Sequence, residues 1–277
     1  MEFTSAEARS RYDEVVAVAA RTVVGLDFDG TLAPIVADPE AAHIHPEAHR
    51  VLVDLADVVG AVAVITGRPA RQAVALGGLD EVGEEIAARG HELHVFGQYG
   101  NERWSSSQPY VRTPLPPHGL ASFQRDLPRE LRAAGVQDAF VEEKGLAVAV
   151  HTRRLDDPET AFRALLPRLR ALATRHDLML EPGRNVIEVR SAGMHKGIAV
   201  HQLAARIQAG GFLFAGDDLG DVEAFDAVEE LADSGLATLL VCSASEEESA
   251  LAERADVVVP GPEGVLELLR QLTADAS

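Results

Sequence analysis

Three short apolar runs in this chain end abruptly in acidic or hydroxylated residues, with helical stretches between them. Residues 22–26 stop at Asp27-Phe28-Asp29-Gly30, residues 62–65 at Thr66-Gly67-Arg68, and residues 212–215 at Gly216-Asp217-Asp218. Four or five consecutive apolar residues flanked by helices are the pattern of a parallel sheet covered on both faces. The intervening stretches carry apolar stripes at helical spacing: Val51, Leu52, Leu55 and Val59 after Pro46, Leu203 with Ile207, Val222 with Phe225 and Val228, and Leu266 with Leu269. Two more short apolar runs, 238–241 and 257–259, keep the same rhythm.

The middle of the chain breaks that rhythm. Residues 108–119 hold four prolines and read as a linker or excursion. A helix over about 120–134 follows, then strands at 139–142 and 146–151 around Lys144-Gly145. A second helix opens at Asp157-Pro158, and strands at 178–181 and 185–190 flank Pro182-Gly183-Arg184. The economical reading is an α/β fold in which a Rossmann-like parallel-sheet core, residues 1–101 plus 191–277, is interrupted by a smaller α+β cap domain, residues 102–190.

Composition narrows the function. Of 277 residues 47% are apolar, enough for a packed core. No apolar run approaches the roughly 18 residues needed to span a bilayer. The N-terminal stretch is acidic throughout and does not read as a signal peptide; it reads as a helix with Tyr12, Val15, Val16 and Ala19 on one face and Thr4 with Glu7 as a capping box. The lone cysteine, Cys242, cannot form an internal disulfide, which fits a cytoplasmic protein. A net charge of −19 argues against nucleic acid and anionic membrane as partners. Any phosphate chemistry in such a chain needs local positive potential from a metal, a lysine or backbone amides.

In an open parallel sheet, ligands bind beyond the carboxyl ends of the strands, which is where the three polar clusters fall. A fourth group, Lys196, opens a helix. Any one cluster could be an ordinary helix cap; the four together point to phosphoryl transfer. A carboxylate can attack phosphorus, a second carboxylate two residues on can protonate the leaving alcohol, and Gly30 permits the turn between them. A divalent cation offsets repulsion between the anions, while Thr66 and Lys196 can hold phosphoryl oxygens.

Asp27-Phe28-Asp29-Gly30-Thr31-Leu32, Thr66, Lys196-Gly197 and Gly216-Asp217-Asp218-Leu219-Gly220-Asp221 resemble the four signature motifs of the haloacid-dehalogenase superfamily. The resemblance implies Asp27 as nucleophile and Asp29 as general acid/base, with Thr66 and Lys196 completing the catalytic set. It also implies Mg2+ held by Asp27, Asp29 (through its carbonyl) and Asp217, with Asp221 in support; whether Asp217 or Asp218 is the direct ligand stays open. The run from Leu26 to Ile35, Ile65-Thr66-Gly67-Arg68, and Asp217-Asp218-x-x-Asp221-x-x-Ala224-Phe225 are similar to trehalose-6-phosphate phosphatases, with the resemblance extending over about 23–272.

That family grips its sugar through the cap. Val141-Glu142-Glu143-Lys144, His151-Thr152-Arg153 and Arg184-Asn185-Val186-Ile187-Glu188 resemble its cap motifs, which implies Glu142, Arg153, Arg184 and Glu188 as contacts to sugar hydroxyls, with Gly67 and Arg68 as further substrate-binding residues. Carboxylates accept from, and guanidiniums donate to, such hydroxyls. The expected partner is a small-molecule sugar phosphate and the expected state a monomer. Sucrose-phosphate, glucosylglycerol-phosphate and mannosyl-phosphoglycerate phosphatases are rival readings, and a silent sugar-phosphate-binding module is a remoter one. His43, His45, His91 and His94 lack metal-ligand spacing, and Trp104 reads as packing. Gly97-Gln98-Tyr99-Gly100 stands where many relatives have a Gly-rich segment with histidine and receives no role; Gly100 and residues 191–193 read as hinges.

Overall fold

The computed structural model describes every residue except 1, 37, 184 and 245–250. In chain order the elements are β1 (Glu2–Phe3), α1 (Ala6–Ala17), β2 (Thr22–Leu26), α2 (Ala48–Ala56), β3 (Ala61–Ile65), α3 (Ala70–Gly77), α4 (Leu79–Ala88), β4 (Leu93–Gly97), β5 (Glu102–Ser105) and β6 (Gln108–Arg112). Then come α5 (Leu120–Ala133), β7 (Phe140–Glu143), β8 (Ala147–His151), α6 (Pro158–Arg175), β9 (Met179–Gly183) and β10 (Val186–Arg190). The chain closes with α7 (Lys196–Ile207), β11 (Gly211–Gly216), α8 (Val222–Asp233), β12 (Ala237–Ala244), β13 (Val257–Pro260) and α9 (Gly261–Asp275).

Two compact units result: residues 1–113 with 195–277, and residues 114–194. The first is built on a sheet of order β1-β13-β12-β11-β2-β3-β4-β5-β6. Its inner six strands run parallel, and only β1, β5 and β6 are antiparallel additions. Strand β2 is buried throughout, and its side chains alternate between two cores as the period of two requires. Val24 and Leu26 face a layer with α1, α2, α4 and α9, whereas Val23 faces one with α7 and α8. From β2 the chain builds outward through β3 and β4 on one side and later through β11, β12 and β13 on the other. This reversal opens a crevice at the carboxyl ends of β2 and β11, the place where open α/β sheets bind ligands.

Two sequence expectations change here. Residues 108–112 are not linker: they form the exposed edge strand β6, antiparallel to β5, so the core sheet extends past residue 101, and the first unit's N-terminal segment runs to Thr113 and resumes at His195 rather than at 191. An edge strand tolerates Pro109 because its outer backbone needs no partner. The α1 cap is Ser5, whose hydroxyl accepts from Ala8 N–H; Thr4 instead donates its hydroxyl to the Ala255 and Asp256 carbonyls.

The second unit is a four-stranded antiparallel sheet, β7-β8-β10-β9. Val148, Val150, Ile187 and Val189 face a core shared with Phe123 and Leu127 of α5 and Leu165, Leu169 and Leu172 of α6. The register pairs Phe140 with His151, Glu142 with Ala149, Glu188 with Ala149 and Arg190 with Ala147, so the polar residues share the opposite face.

Candidate active site

The end of β2 fixes the centre of the site. Asp27 N–H donates to the Ala215 carbonyl at 2.9 Å, continuing the ladder with β11, so the Asp27 carboxyl emerges beside those that follow β11. Beyond it the chain curls back, with Gly30 N–H bonded to Ala33 O at 2.7 Å and Ala33 N–H to Phe28 O at 2.8 Å. Gly30 has φ +71°, and any Cβ there would run into the Asp217 carboxylate, so both conformation and space demand glycine. Ser243 at the end of β12 donates its hydroxyl to the Gly30 carbonyl at 2.6 Å and pins the turn.

The segment after β11 divides the work of its acids. Asp218 caps a single 3-10 turn, its carboxylate accepting from Gly220 N–H, while Asp221 accepts from the backbone N–H groups of Asp217 and Asp218. Asp217 is left to join Asp27 and Asp221, and these three carboxylates lie within 4.8 Å of one another, all buried. The ammonium of Lys196, at the first position of α7, lies 2.6 Å from both Asp27 Oδ1 and Asp221 Oδ1.

The electrostatics follow from this crowding. Burial pushes the Asp27 carboxyl well above the usual carboxylate range, and the neighbouring Asp221, Asp217 and Asp218 push in the same direction against the pull of Lys196. Asp217 is raised to about 8 by burial and then by Asp218 and Asp221. Asp221 is raised by burial, against Lys196. Burial alone would lower Lys196, but Asp221 and Asp27 outweigh it and hold the ammonium well above its ordinary value. With all three ionised, these buried carboxylates would outnumber the one ammonium by two negative charges, which, after burial itself, is why their pKa values rise. That deficit and the all-oxygen donor set fit a hard divalent cation such as magnesium, calcium or manganese.

Thr66, at the end of β3, is buried; its hydroxyl accepts from Arg68 N–H at 3.1 Å and keeps its own proton to donate. Gly67 lies under the ring of Tyr99, where a Cβ would come within 2.9 Å of Tyr99 Cζ. Arg68 forks onto Asp29, with Nε to Oδ2 and Nη2 to Oδ1 both at 2.6 Å, donates to the Pro39 carbonyl, and lies over the Phe28 ring. The residue expected on substrate is thus engaged with the expected acid/base.

In the second unit Glu142 pairs with His151 at 2.9 Å, and Glu188 with Lys144 at 2.6 Å. Arg190 stands 3.5 Å from Glu181 and 3.8 Å from Glu188. Arg153 is exposed, two residues past β8. Arg184 lies outside the described residues. Sequence reasoning missed Ser243, which no motif marks, and gave no role to Lys144, although its place in Glu142-Glu143-Lys144 could have earned one.

The model of the trehalose-phosphatase family matches residues 25–260. Among curated proteins, an uncharacterized glycosyl hydrolase from Mycobacterium tuberculosis is 34% identical over 219 residues, covering 75% of this chain and 15% of that one. Trehalose-phosphate phosphatase B from Arabidopsis thaliana is 28% identical over 80% of this chain and 61% of its own length. Trehalose-6-phosphate phosphatase from Escherichia coli is 30% identical over 74% and 73%. The chain therefore spans less than two thirds of the first two of these relatives. The C-terminal domain of Candida albicans trehalose-6-phosphate phosphatase superposes with a TM-score of 0.76 at 19% identity, covering 99% of this chain and 98% of that one. A haloacid dehalogenase-like hydrolase from Bacteroides thetaiotaomicron gives 0.63 at 12%, covering 91% and 99%, and both likenesses are of fold.

Proposed function

The chain belongs to the trehalose-phosphatase family, and we propose that it hydrolyses trehalose 6-phosphate to trehalose and phosphate, through an aspartyl-phosphate on Asp27. The observation that carries this reading is the buried convergence of Asp27, Asp217 and Asp221 on Lys196. In the first half-reaction an Asp27 carboxylate oxygen attacks phosphorus. The bond from phosphorus to the sugar oxygen breaks, and Asp29 gives that oxygen its proton. In the second, water attacks the same phosphorus, passes a proton to the Asp29 carboxylate, and the bond to Asp27 breaks to release phosphate.

The Arg68 fork orients Asp29 for proton transfer to the leaving oxygen, and Arg68, with Gly67, stays assigned to the substrate. Thr66 and Lys196 donate to phosphoryl oxygens. The residues that would hold Mg2+ are Asp27, Asp217 and the Asp29 carbonyl; Asp221, whose oxygens already serve Lys196 and two backbone amides, stands behind them. When bound, the ion offsets the negative charge shared by the nucleophile and the phosphate. Glu142, Arg153, Arg184 and Glu188, with Lys144, are assigned to the sugar hydroxyls, which suit mixed donors and acceptors.

The test is phosphate release from a panel of sugar phosphates, with magnesium and with EDTA. Preference for trehalose 6-phosphate, lost in EDTA and abolished by Asp27→Asn, is expected. Magnesium-dependent turnover of a different sugar phosphate in preference would keep the Asp27 chemistry and overturn the substrate. No turnover of any ester would overturn both.

A further inference from the structure

The segment from Gly97 to Glu102 lies outside the reacting groups, yet it is bonded to the Thr66 loop at Gln98, Tyr99 and Glu102. Gln98 N–H donates to Arg68 O at 2.8 Å and Tyr99 N–H to Thr66 O at 3.0 Å. Glu102 then accepts from Ala70 N–H through Oε2 at 2.7 Å. The approach is close, since a Cβ on Gly97 would collide with the Ala70 backbone. Gln98 and Tyr99 sit consecutively at φ +48° and +58°, a left-handed pair of non-glycine residues that costs energy and persists only where surroundings enforce it. Gly100 in turn packs on Ala199 of α7, the helix that begins with Lys196.

Glu102 is the member of this segment that acts through its carboxylate. It is buried, and no cationic side chain pairs with it among the described residues. Its other oxygen accepts from the Thr113 hydroxyl at 3.1 Å. A buried carboxylate without a cation is costly unless fixed donors replace water. Here the donors are the first amide of α3, at the positive end of that helix, and one hydroxyl. Helix α3 has no side-chain cap of its own, because Pro69 occupies the capping position. The amide that Glu102 holds is therefore two residues from Arg68 and four from Thr66, and the other end of the bridge is the last residue of the first unit's N-terminal segment.

We propose that Glu102 is a positioning residue for the reaction: it fixes the turn that carries Thr66 and Arg68 and ties that turn to Thr113. The proposal rests on the phosphatase reading, and its test keeps the two apart by using two substrates, trehalose 6-phosphate and p-nitrophenyl phosphate. Glu102→Gln retains both bonds, the amide oxygen accepting from Ala70 and the amide N–H donating to Thr113 Oγ1. Glu102→Ala removes both. The expected result is a fall in kcat of about tenfold to a hundredfold for Glu102→Ala on either substrate, with KM within about threefold of the parent, and near-parental kcat for Glu102→Gln. A Glu102→Ala protein that melts earlier but keeps kcat within about twofold overturns the proposal, leaving a structural acid only. If that variant does not fold, Glu102→Asp, one methylene too short, decides: a kcat lowered about fivefold or more supports the proposal, and a parental kcat overturns it. Should the parent turn over only the aryl phosphate, the substrate reading fails while the comparison of variants still stands.

Discussion

One ammonium, that of Lys196, faces the carboxylates of Asp27 and Asp221 at 2.6 Å with Asp217 close by. Removing one partner from a buried ion pair costs about 3–5 kcal/mol, because the other charge stays buried without compensation. Lys196→Met is therefore expected to lose roughly that much unfolding free energy in EDTA, and to recover part of it in millimolar magnesium as the cation takes over the neutralisation. Denaturant titrations in both buffers check this, and equal stability of parent and variant in EDTA would refute it. At this scale the sequence was legible where a polar residue follows a buried strand, as Asp27, Thr66 and Asp217 do, or opens a helix, as Lys196 does. It was silent where the partner is far away in the chain. Nothing near Arg68 announces that its fork closes on Asp29, 39 residues earlier, or that Ser243 reaches Gly30 across 213 residues.

Strand β4 carries His94 into the core, where burial pulls the imidazole pKa below its ordinary value; Glu92, 3.7 Å away, pulls it up more weakly, and Arg206 adds to the lowering. The sign follows directly. The unfolded chain binds the proton first, near the ordinary value of about 6.5, so the native state loses stability as pH falls below that value. The loss stops once pH is below the folded pKa as well. Unfolding free energies measured from pH 7.5 to 5 are expected to fall less steeply for His94→Gln than for the parent; parallel curves would exclude the histidine as a source. Elements with strong periodicity were legible from the sequence, among them the buried strands β2, β3 and β11 and the helices α5 and α6. The hairpin of β5 and β6 was not. Its second strand is exposed at nearly every position and contains Pro109, so its composition is that of a loop, and only pairing with β5 makes it a strand. The Ser5 cap was misplaced by one residue because Thr4 and Ser5 are equivalent by chemistry, and the contact of Thr4 with Ala255 and Asp256 comes from tertiary structure.

Taken whole, the molecule carries a net charge of −19, while its proposed substrate is also an anion. In the proposed reaction Lys196 and a bound cation would hold the phosphate, but the long-range field opposes its arrival. Raising sodium chloride from 0.01 to 0.15 M shortens the screening length from about 30 to about 8 Å, and kcat/KM is expected to rise roughly twofold or more. A fall over this range would mean that the field at the site mouth is positive despite the overall charge. The pattern of apolar runs changes twice along the chain, but the first expected boundary stood before a hairpin that the core sheet keeps and the second four residues before His195.

The nine-stranded sheet is discontinuous in the chain, with β2 flanked by β3 and β11. On a ribosome adding about 5–20 residues per second, β3 follows β2 within seconds, whereas β11 emerges on the order of 10–40 s after β2. The second unit is continuous, from Pro114 to Met194, and leaves the tunnel complete in the interval. During synthesis β2, the strand that leads into Asp27, therefore waits with one edge open. Its closure by β11 also brings in Asp217 and Asp221, with Lys196 just before them, so the acid cluster is assembled only as that edge is covered, while β12 and β13 are still to follow.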